Sequence, residues 1–132
     1  MPEMARQLKG RHPTPSLIIS SPAVRAIATA KLFAKELRLP ASLIVEDEQL
    51  YLASPKVMLA VVQGRGASSS HLVIVGHNPG ITEFGDRLSA ERSLDNMPTC
   101  SMYTLEFDIK DWSEIQWGSG TNAELRYPGG PT

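Results

Sequence analysis

Residues 16–40, "SLIISSPAVRAIATAKLFAKELRLP", decide the fold. Leu17, Ile18 and Ile19 between serines make a short buried strand over 16–20. Ser21-Pro22 then signals a helix start, with serine as N-cap and proline at the first helical position. Val24, Ile27, Ala28 and Leu32 follow at helical spacing and predict its apolar face, and the helix must end before Pro40. One strand and one helix are therefore written into twenty-five residues.

The same unit recurs twice. "SLIVEDEQLYLA" holds a strand over 43–45 and then an acidic loop. Ser54-Pro55 repeats the helix-start signal, Met58, Leu59 and Val62 share one face, and Gly64 closes the helix. After the polar loop "GRGASSS", residues 72–76 form a strongly apolar strand. His77-Asn78-Pro79-Gly80 turns from it into a helix carrying Ile81, Phe84 and Leu88. "SMYTLEFDI" alternates so that one face is drier, and residues 123–127 add a last short strand. Upstream, Met4, Ala5 and Leu8 suggest a short helix stopped at Gly10, and "RHPTP" is a loop. The tail "PGGPT" frays. Strand–helix alternation followed by two strands predicts an α/β three-layer sandwich, a mixed, mostly parallel sheet with helices on both faces. No repeat or linker divides residues 1–132, so one domain is expected.

Composition narrows the function classes. Apolar residues make up 42 % and charged residues 20 %, as in ordinary globular domains. Thirteen basic residues against fourteen acidic ones leave a formal charge of −1. That balance gives no footprint for nucleic acid or an anionic membrane. The apolar runs are too short to span a bilayer, and no signal sequence opens the chain. The single cysteine, Cys100, excludes an internal disulfide and suits a reducing cytosol. A cytoplasmic location is the expectation.

In sheets of this kind ligands lie beyond the carboxyl ends of the strands, so functional residues are sought just after Ser20, Val45 and Val75. Arg25 falls in the first turn of its helix, where the dipole disfavours a cation. It reads as an anion-binding arginine or as a surface arginine that tolerates the dipole. His77 stands at the tip of the third strand, at the same edge; a structural histidine is the competing reading. Glu46, Asp47 and Glu48 crowd the second strand's end and could supply a general acid or a solvated acidic turn. A metal site is not expected. His71 and His77 share strand parity, but six strand residues hold them about 20 Å apart. Cys100 lacks the glycine and arginine of a phosphate-cradling loop and reads as a small buried hydrophobe.

Taken together, "LIISSPAVRAIATA", "EDEQLYLASP", "VIVGHNPGI" and "LDNMPTCSMYTLEFD" resemble the histidine phosphatase superfamily, most closely its SixA-like phosphohistidine phosphatases. "SSPAVRA" and "GHNPG" are the specific motifs; "LYLASP" and "PTC" narrow the match. The resemblance implies a phosphoglycerate mutase-like fold and an enzyme that needs no cofactor. A histidine in an Arg-His-Gly motif attacks phosphorus to form a phosphohistidine intermediate. Two arginines, a second histidine and often a carboxylate surround the phosphoryl group. Arg25 matches the second arginine and His77 the second histidine, both phosphate-binding, and Glu48 falls where related branches place a proton-donating acid. The implied partners are a phosphohistidine-bearing protein or a small phosphate ester.

Arg11-His12 does not match the nucleophile motif. The resemblance places the nucleophile much farther upstream of the "SSPxxR" arginine, and His12 precedes Arg25 by only thirteen residues and is followed by proline. His12 is expected to be a decoy on a loop. The chain as written thus lacks the first strand, the nucleophile and the first arginine, and is expected to be truncated at its N-terminus and inactive alone. A non-catalytic module binding phosphate or a phosphoprotein, and an unrelated doubly wound domain, are the competing readings. Without the first strand, the strands at 17–19 and 72–75 are each expected to lose a partner, and the open edge to favour self-association.

Overall fold

The computed structural model describes residues 15–66, 69–92, 94–97 and 101–126. The expected helix around Met4, the loop bearing His12, Cys100, Tyr127 and the tail lie outside the described residues. The element order is β1 (Leu17–Ser20), α1 (Val24–Glu36), β2 (Ile44–Glu46), α2 (Pro55–Arg65), β3 (Leu72–Val75), α3 (Gly80–Leu88), β4 (Met102–Glu106) and β5 (Thr121–Arg126). β1, β2 and β3 form a parallel sheet in the order β2-β1-β3, while β4 and β5 pair antiparallel as a separate two-stranded ladder. The α/β class and the predominance of parallel pairing follow the sequence expectation.

Two consecutive side chains on β1 create the layers. Neighbouring strand residues point to opposite faces. Ile18 packs with Ala30, Phe33 and Ala34 of α1. Ile19 belongs to one cluster with Leu50, with Met58, Val61 and Val62 of α2, with Phe84 and Leu88 of α3, and with Ile115. Helices therefore cover both faces of the parallel sheet. Both isoleucines are fully buried, at 0 % exposure.

The buried face of α1 is not the one expected. Ala26, Ala30, Phe33 and Ala34 are buried, whereas Val24 is 86 % and Leu32 44 % exposed. The three alanines carry nothing beyond Cβ, so the helix can lie close to the sheet, and Phe33 alone fills the remaining depth. Bulk apolar spacing picked the opposite side. α1 also begins later than predicted. Its N-cap is Ala23, without a side-chain cap, and Pro22 precedes the helix. Ser21 Oγ instead accepts from the Ala23 amide at 3.3 Å. The signal at Ser54-Pro55 holds: Ser54 Oγ accepts from Val57 N at 3.4 Å, and Pro55 is the first helical residue. That helix runs one residue past Gly64, to Arg65.

The expectation about sheet edges is half corrected. β1 has a parallel neighbour on each side, so the strand at 17–19 loses none. β3 pairs with β1 on one edge and, among the described residues, with no strand on the other.

Candidate active site

Register brings three strand ends level. Ser20 pairs with Glu46 on one side and Val75 on the other, so the turns after all three strands open at one edge. The pairing continues one step beyond the strands. The Ser21 amide donates to Val75 O at 3.0 Å, and the Asp47 amide to Ser20 O at 2.9 Å. Ser20 Oγ donates to the Ser21 carbonyl at 2.9 Å, which fixes the turn into α1.

His77 sits two residues past Val75 and is half-buried. Its Nε2 lies 2.7 Å from Oγ of fully buried Ser21. The edge of the Tyr51 ring meets His77 with centroids 5.7 Å apart and planes at 80°. Tyr51 itself is 56 % exposed at the rim. Gly80 permits this approach: a Cβ there would stand 2.3 Å from Ala53 O, so only glycine lets the 51–54 turn reach the start of α3.

The loop that carries His77 is clamped from the other side. Asn78 Nδ2 donates to Met97 O at 3.0 Å, Thr82 Oγ1 donates to Asn78 Oδ1 at 2.5 Å, and Met97 N donates to Thr82 Oγ1 at 3.1 Å. The Asn78–Pro79 peptide is cis. Ile81 N donates to His77 O at 2.7 Å and opens α3.

Arg25 is the second residue of α1, four past Ser21, and is exposed. Among the described residues its guanidinium has no ion-pair or hydrogen-bond partner. A cation held against a helix N-terminus without a carboxylate leaves its charge and the terminal N–H groups available to an anion. Glu48 begins a 3₁₀ turn, Glu48–Leu50, and is exposed. The acidic cluster is not a uniformly solvated turn. Asp47 is buried, accepts from Gln49 N at 2.9 Å, and pairs with Nε of Arg65 from the end of α2.

The fold thus sets His77 and Glu48 in the turns at one sheet edge and Arg25 in the first turn of α1 beside them, and directly links only His77, to Ser21. Sequence reasoning missed Ser21, which it spent on a helix cap, and Tyr51, and it named Asp47 only as a member of the acidic cluster. The register of the two apolar strands was the available signal for Ser21, because it sets the residues after Ser20 and Val75 side by side. No group of three or more His, Cys, Asp or Glu among the described residues is arranged to hold a metal ion. No described helix is long and apolar enough to cross a membrane.

No family model matches the sequence, and no curated protein matches it. Solved structures do. One assigned as the phosphohistidine phosphatase SixA from Nakamurella multipartitia superposes with a TM-score of 0.79 at 19 % identity, covering 98 % of this chain and 80 % of that one. A protein histidine phosphatase SixA complexed with tungstate gives 0.71 at 18 % identity, over 96 % of this chain and 75 % of its own. A third, assigned as SixA from Agrobacterium tumefaciens, gives 0.63 at 21 %, over 80 % and 70 %. With its parallel sheet, its layers and these superpositions together, the chain has the phosphoglycerate mutase-like fold of the SixA phosphohistidine phosphatases.

Proposed function

We propose that this chain carries the phosphate-holding part of a SixA-like phosphohistidine phosphatase, a hydrolase acting on phosphohistidine in a protein or on small phosphomonoesters. The observation that carries the reading is the pairing of Ser20 with Val75, which sets His77 and the Arg25 helix at one sheet edge beside Ser21. The fold shared with the SixA structures supports it.

The chemistry follows from the residue types. A phosphoryl group in transfer spreads negative charge over its equatorial oxygens, and catalysis is mainly positioning with fixed donors. Arg25 offers a planar, permanently charged fork and the N-terminus of α1 adds partial positive charge. His77 offers a ring N–H. Glu48 is the carboxyl assigned to protonate the leaving group, a role that phosphohistidine's imidazole demands less than an alkoxide does. In the complete reaction a histidine nitrogen attacks phosphorus, the bond to the leaving nitrogen or oxygen breaks, and water then hydrolyses the phosphohistidine formed.

Among the described residues, no histidine besides His77 stands at the site edge. His71 lies at the amino end of β3, away from the site edge, where its carbonyl accepts from Ser16 N at 2.9 Å. Arg11-His12 is followed by proline and lacks the nucleophile motif. This observation favours a second reading of the chain by itself, as a non-catalytic module for phosphate or a phosphoprotein. Both readings predict tungstate or phosphate binding and no turnover of a phosphohistidine peptide above background. Turnover restored by an added Arg-His-Gly segment selects the phosphatase. Turnover by the present chain that vanishes in His12→Ala overturns the assignment of His12 as a decoy. Absence of any oxyanion binding overturns both readings.

A further inference from the structure

We infer that Ser21 is a positioning residue that holds neutral His77 in its Nδ1–H tautomer, so that Nδ1 is the donor the ring presents to an anion. The consequence for an anion rests on the phosphate-binding reading above; the tautomer itself does not.

The argument is an accounting of hydrogens. A serine hydroxyl has one hydrogen to give and two lone pairs to fill. Ser21 Oγ already accepts from the Ala23 amide at 3.3 Å. Its backbone is fixed on both sides, the amide donating to Val75 O at 3.0 Å and the carbonyl accepting from Ser20 Oγ at 2.9 Å. The side chain is at 0 % exposure, so water does not take its proton. Among the described residues the one acceptor for that proton is His77 Nε2, at 2.7 Å. If Nε2 carried hydrogen, it would donate to Ser21 and strand the buried hydroxyl proton without an acceptor. Buried polar hydrogens are rarely left so. If Nε2 is bare, the hydroxyl donates to it and every group is satisfied. A neutral imidazole with a bare Nε2 carries its hydrogen on Nδ1, and the partner of one ring nitrogen decides the role of the other. Nδ1 has no partner among the described residues.

The test is 15N NMR of the histidine rings in the labelled chain, with His77 identified by the resonances lost in His77→Asn. Above the pH at which His77 deprotonates, Nε2 is expected to resonate as a pyridine-type nitrogen and Nδ1 as a pyrrole-type one. In Ser21→Ala the population should move toward the Nε2–H form, and affinity for inorganic phosphate should fall roughly two- to ten-fold, the loss of about one net hydrogen bond. Ser21→Thr, which keeps the hydroxyl, should keep the wild-type pattern. A pyrrole-type Nε2 in the unmodified chain overturns the inference whether or not any variant folds. An unchanged pattern in folded Ser21→Ala overturns it as well. If the Nδ1–H tautomer is found while phosphate leaves the His77 resonances unmoved, the role of Ser21 stands and the phosphate reading falls.

Discussion

Asp47 and Arg65 meet across eighteen residues, joining the turn after β2 to the last residue of α2. The carboxylate is buried while the arginine side chain is 49 % exposed, so the pair spans the protein–water boundary. The same carboxylate caps the 3₁₀ turn through Gln49 N. Asp47→Ala removes both contacts and is expected to lower stability by about 1–2 kcal/mol, the scale of a lost cap and a partly screened pair. Glu48→Ala, one residue on and exposed, should stay within about 0.5 kcal/mol. Urea unfolding of the two variants checks the contrast.

Arg25 separates binding from folding. It is exposed and has no protein partner among the described residues, so Arg25→Ala should leave the unfolding midpoint unchanged. Affinity for tungstate or phosphate should fall roughly ten- to a hundred-fold, the value of a hydrogen bond to a charged group. Arg25→Lys should recover only part of it, because an ammonium lacks the two-pronged fork. Titration calorimetry beside a thermal scan distinguishes this from a structural role.

The two faces of α1 give a direct check of its orientation. Phe33→Ala empties a buried position beside Ile18 and is expected to cost about 3–5 kcal/mol. Leu32→Ala and Val24→Ala, on the exposed side, should cost less than about 1 kcal/mol. Equal losses at positions 32 and 33 would mean that the helix is rotated.

The end of α1 can be improved. Leu39 N donates to Ala34 O at 2.8 Å and Arg38 N to Lys35 O at 3.1 Å, the paired bonds of a Schellman motif. They require Arg38 to take φ +58°, a left-handed conformation that glycine adopts freely. Arg38→Gly is expected to raise stability by about 1 kcal/mol. Differential scanning calorimetry reads it as a higher melting temperature.

These contrasts show where the sequence could be read. Three apolar strands with helix signals between them were legible because strand burial and the Ser54-Pro55 cap are local. The face of α1 was not, because close approach to a sheet selects small residues, and a rule that counts large apolar side chains passes over Ala26, Ala30 and Ala34. His77 was singled out by its place at a strand tip. Its partner Ser21 is 56 residues away, and the contact exists only once the strands are paired. Asp47 looked like one of three solvated carboxylates; burial singles it out, and that depends on where α2 ends.

Ile18, Ile19, Ser20 and Ser21 perform four separate tasks in four consecutive positions. The first two fill opposite layers, the third donates its hydroxyl to the Ser21 carbonyl and the fourth touches His77. A single-residue deletion within this run would exchange the two cores and withdraw the hydroxyl from His77 in one stroke. Changes of loop length elsewhere, as between β2 and α2 or beyond α3, shift no such phase. The tolerance of this chain to insertion should therefore be very uneven, with a short intolerant block at 18–21. A scan of one-residue insertions and deletions would locate the site's scaffold without any assay of activity.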